Sequence, residues 1–150
     1  ASNLKVTIKT AKSEIGGVRV LGPLRDYTQV EISKTDAYKL GLNPPVRGSG
    51  DLSGSEDITI IGDNEITVKE CTIIANRHIH ATKEDLEKYN LDASKKYRVR
   101  IYGEKGGIIN NVSIKVSDQS FFEMHLDTDD GNGHLLKCGD KVTIIGEDNE

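Results

Sequence analysis

"GGVRVLGPLRDYTQVEISKTDAYKLGL", residues 16–42, can be laid beside "GGIINNVSIKVSDQSFFEMHLDTDDGNGHLLKCGD", residues 106–140. Each opens on Gly-Gly, runs through an alternating segment, crosses a loop and enters a second alternating segment. Each then reaches Thr-Asp (Thr35-Asp36 and Thr128-Asp129) and closes on Leu and Gly. Identity is low, so the order of features carries the match. The pattern predicts two half-domains of similar build, residues 1–76 and 77–150, with the boundary near Asn76. In this alignment Glu31 of "TQVEIS" falls opposite His125 of "FEMHLD". Both side chains can bind metal.

Outside the repeat the same texture continues. In "LKVTIKT" Leu4, Val6 and Ile8 share one face and Lys5, Thr7 and Lys9 the other. "DITIIG", "EITVKECTII", "YRVRIYG" and "DKVTIIG" alternate in the same way. Period-two alternation argues for half-buried strands, and "IGDNE" and "EKGG" read as turns between them. Two stretches read as helices. "TKEDLEKYNL" starts on Thr82 with Asp85 three residues later, a capping-box pattern. "SKTDAYKLGL" has Ser33 or Thr35 as cap and Gly41 at its end. Many short strands with few helices fit small barrels or a sandwich.

Composition narrows the function classes. The 150 residues are enough to bury a core. A net charge of −4 gives no general attraction to nucleic acid or anionic membrane. Five tyrosines, two phenylalanines and no tryptophan are too few for a base-stacking surface. No apolar run approaches membrane-spanning length, and no signal peptide is visible. Cys71 and Cys138 are isolated, so a reduced cytoplasmic chain is the default, with a buried inert thiol as the reading for each.

Two of the four histidines lie in "IIANRHIHATKEDLEKY", residues 73–89. If "IIANRHIH" is extended, His78 and His80 leave the same face, with Cα atoms roughly 6.5–7 Å apart. Two imidazoles at that spacing can converge on one ion. His-x-His alone also fits a polar strand surface. His125 shifts the balance, because it alternates with Met124 and Leu126 and so faces away from them. Three strand histidines make a His₃ site with room for substrate or water.

Glu31, between Val30 and Ile32, is either a solvent-facing glutamate or, by its repeat position, a second metal ligand. Arg25, in the loop "GPLRDY" before that strand, suits an anion such as phosphate. "RGSGDLSGS", residues 47–55, could offer backbone N–H groups to an anion. It lacks the Gly-Lys-Ser/Thr of a P-loop, and reads better as a flexible connection. "HLDTDDGNGH" resembles a calcium loop only briefly. Counting from Asp127, position five is Gly131 and position twelve Cys138, where oxygen ligands are needed. His134, in a turn, reads as a surface residue.

Together, "GVRVLGPLRDYTQVEISKTDAYKLGLNPPVRGSGDLSGS", "ANRHIHATKEDL" and "EMHLDTDDGN" resemble the PduL-type phosphate propanoyltransferases. The resemblance covers nearly the whole chain, in the same order. It implies two small β-barrel domains capped by short helices, with two zinc ions per complete site. It implies the reversible reaction of an acyl-CoA, propionyl- or acetyl-CoA, with phosphate to give an acyl phosphate and coenzyme A. By motif, His78, His80 and His125 would hold one zinc. Glu31 would hold the other, with two histidines of an N-terminal His-x-His that this sequence does not contain. Arg25 would contact phosphate, and Arg19, Leu21, His125 and Asn132 would line the coenzyme A site. A homo-oligomer, and residence inside a bacterial microcompartment through an upstream segment, are both compatible with the resemblance.

The chemistry agrees with the residues. Phosphate is a poor nucleophile that must be held in line with the thioester carbonyl, and two cations and an arginine would position it. No protein nucleophile is then required, and no activated Cys or Ser can be picked out. The alternative is a metal-binding double-barrel fragment or relative without catalysis. On the two-metal reading, this chain without the first His-x-His is expected to have little or no activity.

Overall fold

In the strand Tyr97–Ile101 every second residue, Tyr97, Val99 and Ile101, is buried, while Arg98 and Arg100 face solvent. The strand His78–Ala81 alternates in the same way. The structure, a computed structural model, describes residues 3–149. They divide between Ala75 and Asn76 into two compact units, each with its own apolar core.

The first unit runs β1 (Lys5–Lys9), β2 (Glu14–Arg19), β3 (Val30–Glu31), α1 (Lys34–Leu40), β4 (Val46–Arg47), β5 (Glu56–Ile61) and β6 (Glu65–Ala75). Its strands form one curled, half-barrel sheet in the order β2-β1-β5-β6-β3, with β4 also on β6. The second unit runs β7 (His78–Ala81), α2 (Lys83–Lys88), β8 (Tyr97–Ile101), β9 (Gly107–Val116), β10 (Glu123–His125), α3 (Thr128–Gly133) and β11 (Val142–Glu147). Its sheet is ordered β10-β7-β9-β8-β11. The fold is therefore mainly β with short helices, as the alternation predicts.

The repeat has a structural counterpart inside each unit. β5-β1-β2 and β11-β8-β9 are both antiparallel triplets, a hairpin with a later strand on its first arm. In each, the hairpin's second arm leads through a loop to a very short strand, β3 or β10, and then to a helix. The units differ beside the hairpin. β9 is flanked by the parallel strand β7, which carries the His-x-His. Among the described residues β2 is an edge strand.

The helices begin where side chains can satisfy their first N–H groups. Ser33 accepts from the Asp36 N–H at 3.1 Å, and Gly41 closes α1 with φ 71°. Thr82 and Asp85 form a reciprocal capping box on α2. α3 is a departure from the two expected helices. Thr128–Gly133 contains two glycines and shows no apolar periodicity, so nothing in its composition signals a helix. Asp127 caps it, accepting from the Asp130 N–H at 2.8 Å.

Two further points differ from expectation. Residues 47–55 are not a bare connection. Arg47 Nε donates to the Ser53 carbonyl, the Asp51 N–H to the Gly48 carbonyl, and Ser53 to the Asp51 carboxylate. Cys138 is exposed rather than buried. Cys71 is buried, and that burial pushes its thiol pKa up, so it stays protonated and inert. Both thiols are free. No helix among the described residues is long and apolar enough to cross a membrane.

Candidate functional site

The second unit brings His78, His80 and His125 together. β7 buries Ile79 and Ala81 and turns His78 and His80 to the other face. β10 lies antiparallel to β7 with His125 opposite His78 and Met124 opposite Ile79. Met124 packs inward against the core while His125 faces out. One potential ligand atom from each histidine lies within 4.8 Å of the others. His78 Nε2 and His80 Nε2 are 3.1 Å apart. Three nitrogens around one zinc at its usual bond length stand about 3.3 Å apart. The donor set therefore fits a zinc-sized cation with small side-chain rotations. Among the described residues no other group of three metal-capable side chains is found.

The surroundings prepare the rings for that role. His78 Nδ1 meets the Asn76 carbonyl at 2.9 Å, which fixes its proton on Nδ1 and leaves Nε2 as a donor to an ion. Burial lowers the His80 pKa, and repulsion from His125, His78 and Lys115 adds to it, so His80 favours the neutral, ligating form. Glu123 accepts from His125 Nε2 at 2.9 Å. Beside the triad a cavity of about 740 Å³ opens into the second unit. Ile79, Val99, Met124, Leu126 and Leu136 form its apolar wall and His125 reaches its rim.

In the first unit Arg25 and Glu31 belong to a single polar cluster. Arg25 Nη1 donates to Ser49 Oγ at 3.0 Å and to the Tyr27 hydroxyl. Gln29 Nε2 donates to Ser49 Oγ at 3.1 Å and to Glu31 Oε1 at 2.9 Å. The Gly50 N–H closes the set by donating to Gln29 Oε1 at 2.8 Å. Gln29 and Ser49 were missed in the sequence because an exposed Gln and a loop Ser carry no spacing signal of their own. Arg19 ends β2 and Leu21 is exposed in the following loop. Asn132 lies in α3, one turn beyond Asp127.

A family model described as phosphate propanoyltransferase matches residues 1–137. The chain belongs to the phosphate propanoyltransferase family. A relative of that name from Thermotoga maritima is 47% identical over 147 residues, covering 97% of this chain and 70% of the relative. One from Rhodobacter capsulatus is 43% identical over 133 residues, covering 88% and 62%. One from Priestia megaterium is 47% identical over 141 residues, covering 93% and 65%. The chain thus spans about two thirds of the length of these phosphate propanoyltransferases. The matched residues include both the histidine triad and the Arg25–Glu31 cluster.

Proposed function

We propose that this chain is the zinc-binding acyl-transfer portion of a phosphate acyltransferase. The reaction interconverts an acyl-CoA, propanoyl or acetyl, and phosphate with an acyl phosphate and coenzyme A. The observation that carries the reading is the His78–His80–His125 triad in a chain of this family.

A zinc ion held by the triad would supply a Lewis acid for the thioester and its leaving sulfur. The rest of the chemistry is assigned to the chain's own groups. Arg25 presents a planar guanidinium, and Ser49, already bonded to it, adds a hydroxyl donor. Together they would hold phosphate by charge-assisted hydrogen bonds and orient one oxygen toward the acyl carbon. That oxygen forms the new C–O bond as the C–S bond breaks. The sulfur leaves as thiolate and takes a proton from solvent. Glu31, the repeat counterpart of His125, is proposed as a ligand of a second zinc. Arg19, Leu21, His125 and Asn132 are proposed to contact coenzyme A. Acyl-CoA and phosphate are then the partners, in the cytoplasm or within a bacterial microcompartment.

A metal-binding role without catalysis is the second reading, because the triad is complete within one unit. The deciding assay supplies propanoyl-CoA and phosphate to the zinc-loaded protein and follows propanoyl phosphate and free thiol. Phosphate-dependent release of thiol, lost in His125→Ala, supports acyl transfer. Zinc uptake with no release of thiol in either protein would leave only the binding role.

A further inference from the structure

The triad depends on a weakly held element. Among the described residues His125 sits on a three-residue strand at the sheet edge, paired only with β7. The next element, α3, has six residues, two of them glycine, and buries none of them. Its composition disfavours a helix, and it has no apolar anchor. Met124 and Leu126, on either side of His125, pack against the core of the second unit, so a further contact is needed only to tie α3 back to β7.

One side chain makes that contact. Arg77, adjacent to His78, grips Asp130 of α3 with a fork: Nε to Oδ2 at 2.7 Å and Nη2 to Oδ1 at 2.9 Å. Its remaining Nη1 donates to the Asn110 carbonyl of β9 at 2.9 Å. Both side chains are largely shielded, 32% and 27% exposed, so solvent screens the pair only in part. The backbone N–H of Asp130 is bound to the cap, Asp127. A single guanidinium therefore spans the start of the His78–His80 strand, its parallel neighbour and the helix that follows His125.

We propose that Arg77 and Asp130 are positioning residues for the histidine triad, holding His125 in reach of the ion that His78 and His80 bind. They touch no ligand atom and act through α3 and β10. The inference rests on the reading of the triad as a metal site. The requirement is geometric. Lysine keeps the charge but cannot make two parallel bonds to one carboxylate and a third to a carbonyl. Arg77→Lys should therefore fail to rescue, which a purely electrostatic contribution would not predict.

The test measures zinc affinity of this chain by competition with a chromophoric chelator, and the visible spectrum of its cobalt(II) form. Wild type, His78→Ala, Asp130→Asn, Arg77→Lys and the double variant Arg77→Lys/Asp130→Asn are compared. Expected is tight binding by wild type, its loss in His78→Ala, and a weakening of about 10- to 100-fold in each pair variant. The double variant should be no worse than either single one, because both break the same interaction. The cobalt spectrum should change in the pair variants while the metal-free far-ultraviolet circular dichroism stays that of wild type. Equal zinc binding by wild type and His78→Ala would overturn both the triad as a metal site and this inference. Binding that needs His78 but is unchanged, in affinity and cobalt spectrum, by Arg77→Lys and Asp130→Asn would overturn the positioning role alone. Should Asp130→Asn fail to fold, the Arg77→Lys result decides by itself.

Discussion

Glu31 and His125 end the corresponding short strands of the two units, each two residues ahead of a helix cap, Ser33 in one and Asp127 in the other. This is the repeat expressed as local structure. A strand of two or three residues cannot define its own position. The cap that follows fixes the chain's exit, and the side chain at the strand's end is oriented from both directions.

The triad gives the first prediction. His78→Ala, His80→Ala and His125→Ala should each remove the same single zinc from the chain, measured by metal analysis after dialysis. Two remaining imidazoles do not make a tetrahedral structural or catalytic set. Variants that keep the full wild-type zinc content would show that the ring cluster is only a packed polar face.

Arg25→Ala should weaken the use of phosphate far more than that of acyl-CoA. The lost charge-assisted bonds are worth roughly 1.5–3 kcal/mol to a partly desolvated anion, or about 10- to 150-fold in kcat/KM for phosphate. Ser49→Ala should give a smaller effect in the same direction, since it removes one neutral donor. Steady-state kinetics with each substrate varied in turn provides the measurement. An Arg25→Ala enzyme with unaltered phosphate kinetics would remove that residue from the site.

Much of this was legible before the structure. Tyr97, Val99 and Ile101 alternate with two arginines, and β8 follows directly. Thr82 with Asp85 announced α2, and His78 and His80 announced a shared face. What was not legible depends on contacts between segments far apart in sequence. α3 is one case, since Asp130 gains its arginine only when residue 77 arrives from 53 positions away. The Gln29–Ser49 contact, 20 residues apart, is another. Exposure of Cys138 is a third, because it sits in a turn closed by the Asp140 N–H donating to the Lys137 carbonyl.

The cap on α3 should matter locally rather than globally. Asp127→Ala removes the acceptor for the Asp130 N–H, and cap losses of this type cost about 1 kcal/mol. Because α3 buries no residue, that cost should appear as faster amide exchange across residues 128–134. Exchange in β8 and β9, which carry the buried Val99 and Val112, should be unchanged. Uniformly faster exchange through the second unit would mean that α3 is part of its cooperative core.

Acid should expose the Arg77–Asp130 pair. The hydrogen bonds from Arg77 hold the Asp130 carboxyl below the ordinary carboxylate range, with the charge of Arg77 adding to them against the opposing effect of burial. In the unfolded chain that carboxyl titrates near its usual value of about 3.9. Between the two values the unfolded state binds more protons than the folded state, so stability rises with pH there. The contribution is thus complete above about pH 4 and is lost as pH falls through the folded-state value. Asp130→Asn cannot titrate at this position. Its stability deficit relative to wild type should be largest at neutral pH and shrink steadily below about pH 4. Asp51 and Asp92 also have lowered values, but both lie at the open surface and are common to both proteins, so the difference between them isolates Asp130. Urea unfolding of the metal-free proteins at a series of pH values reads this out, and if the two units unfold separately the effect belongs to the transition containing Asp130. A deficit that stays constant from neutral pH into the acid range would show that Asp130 is not held as a charged partner of Arg77.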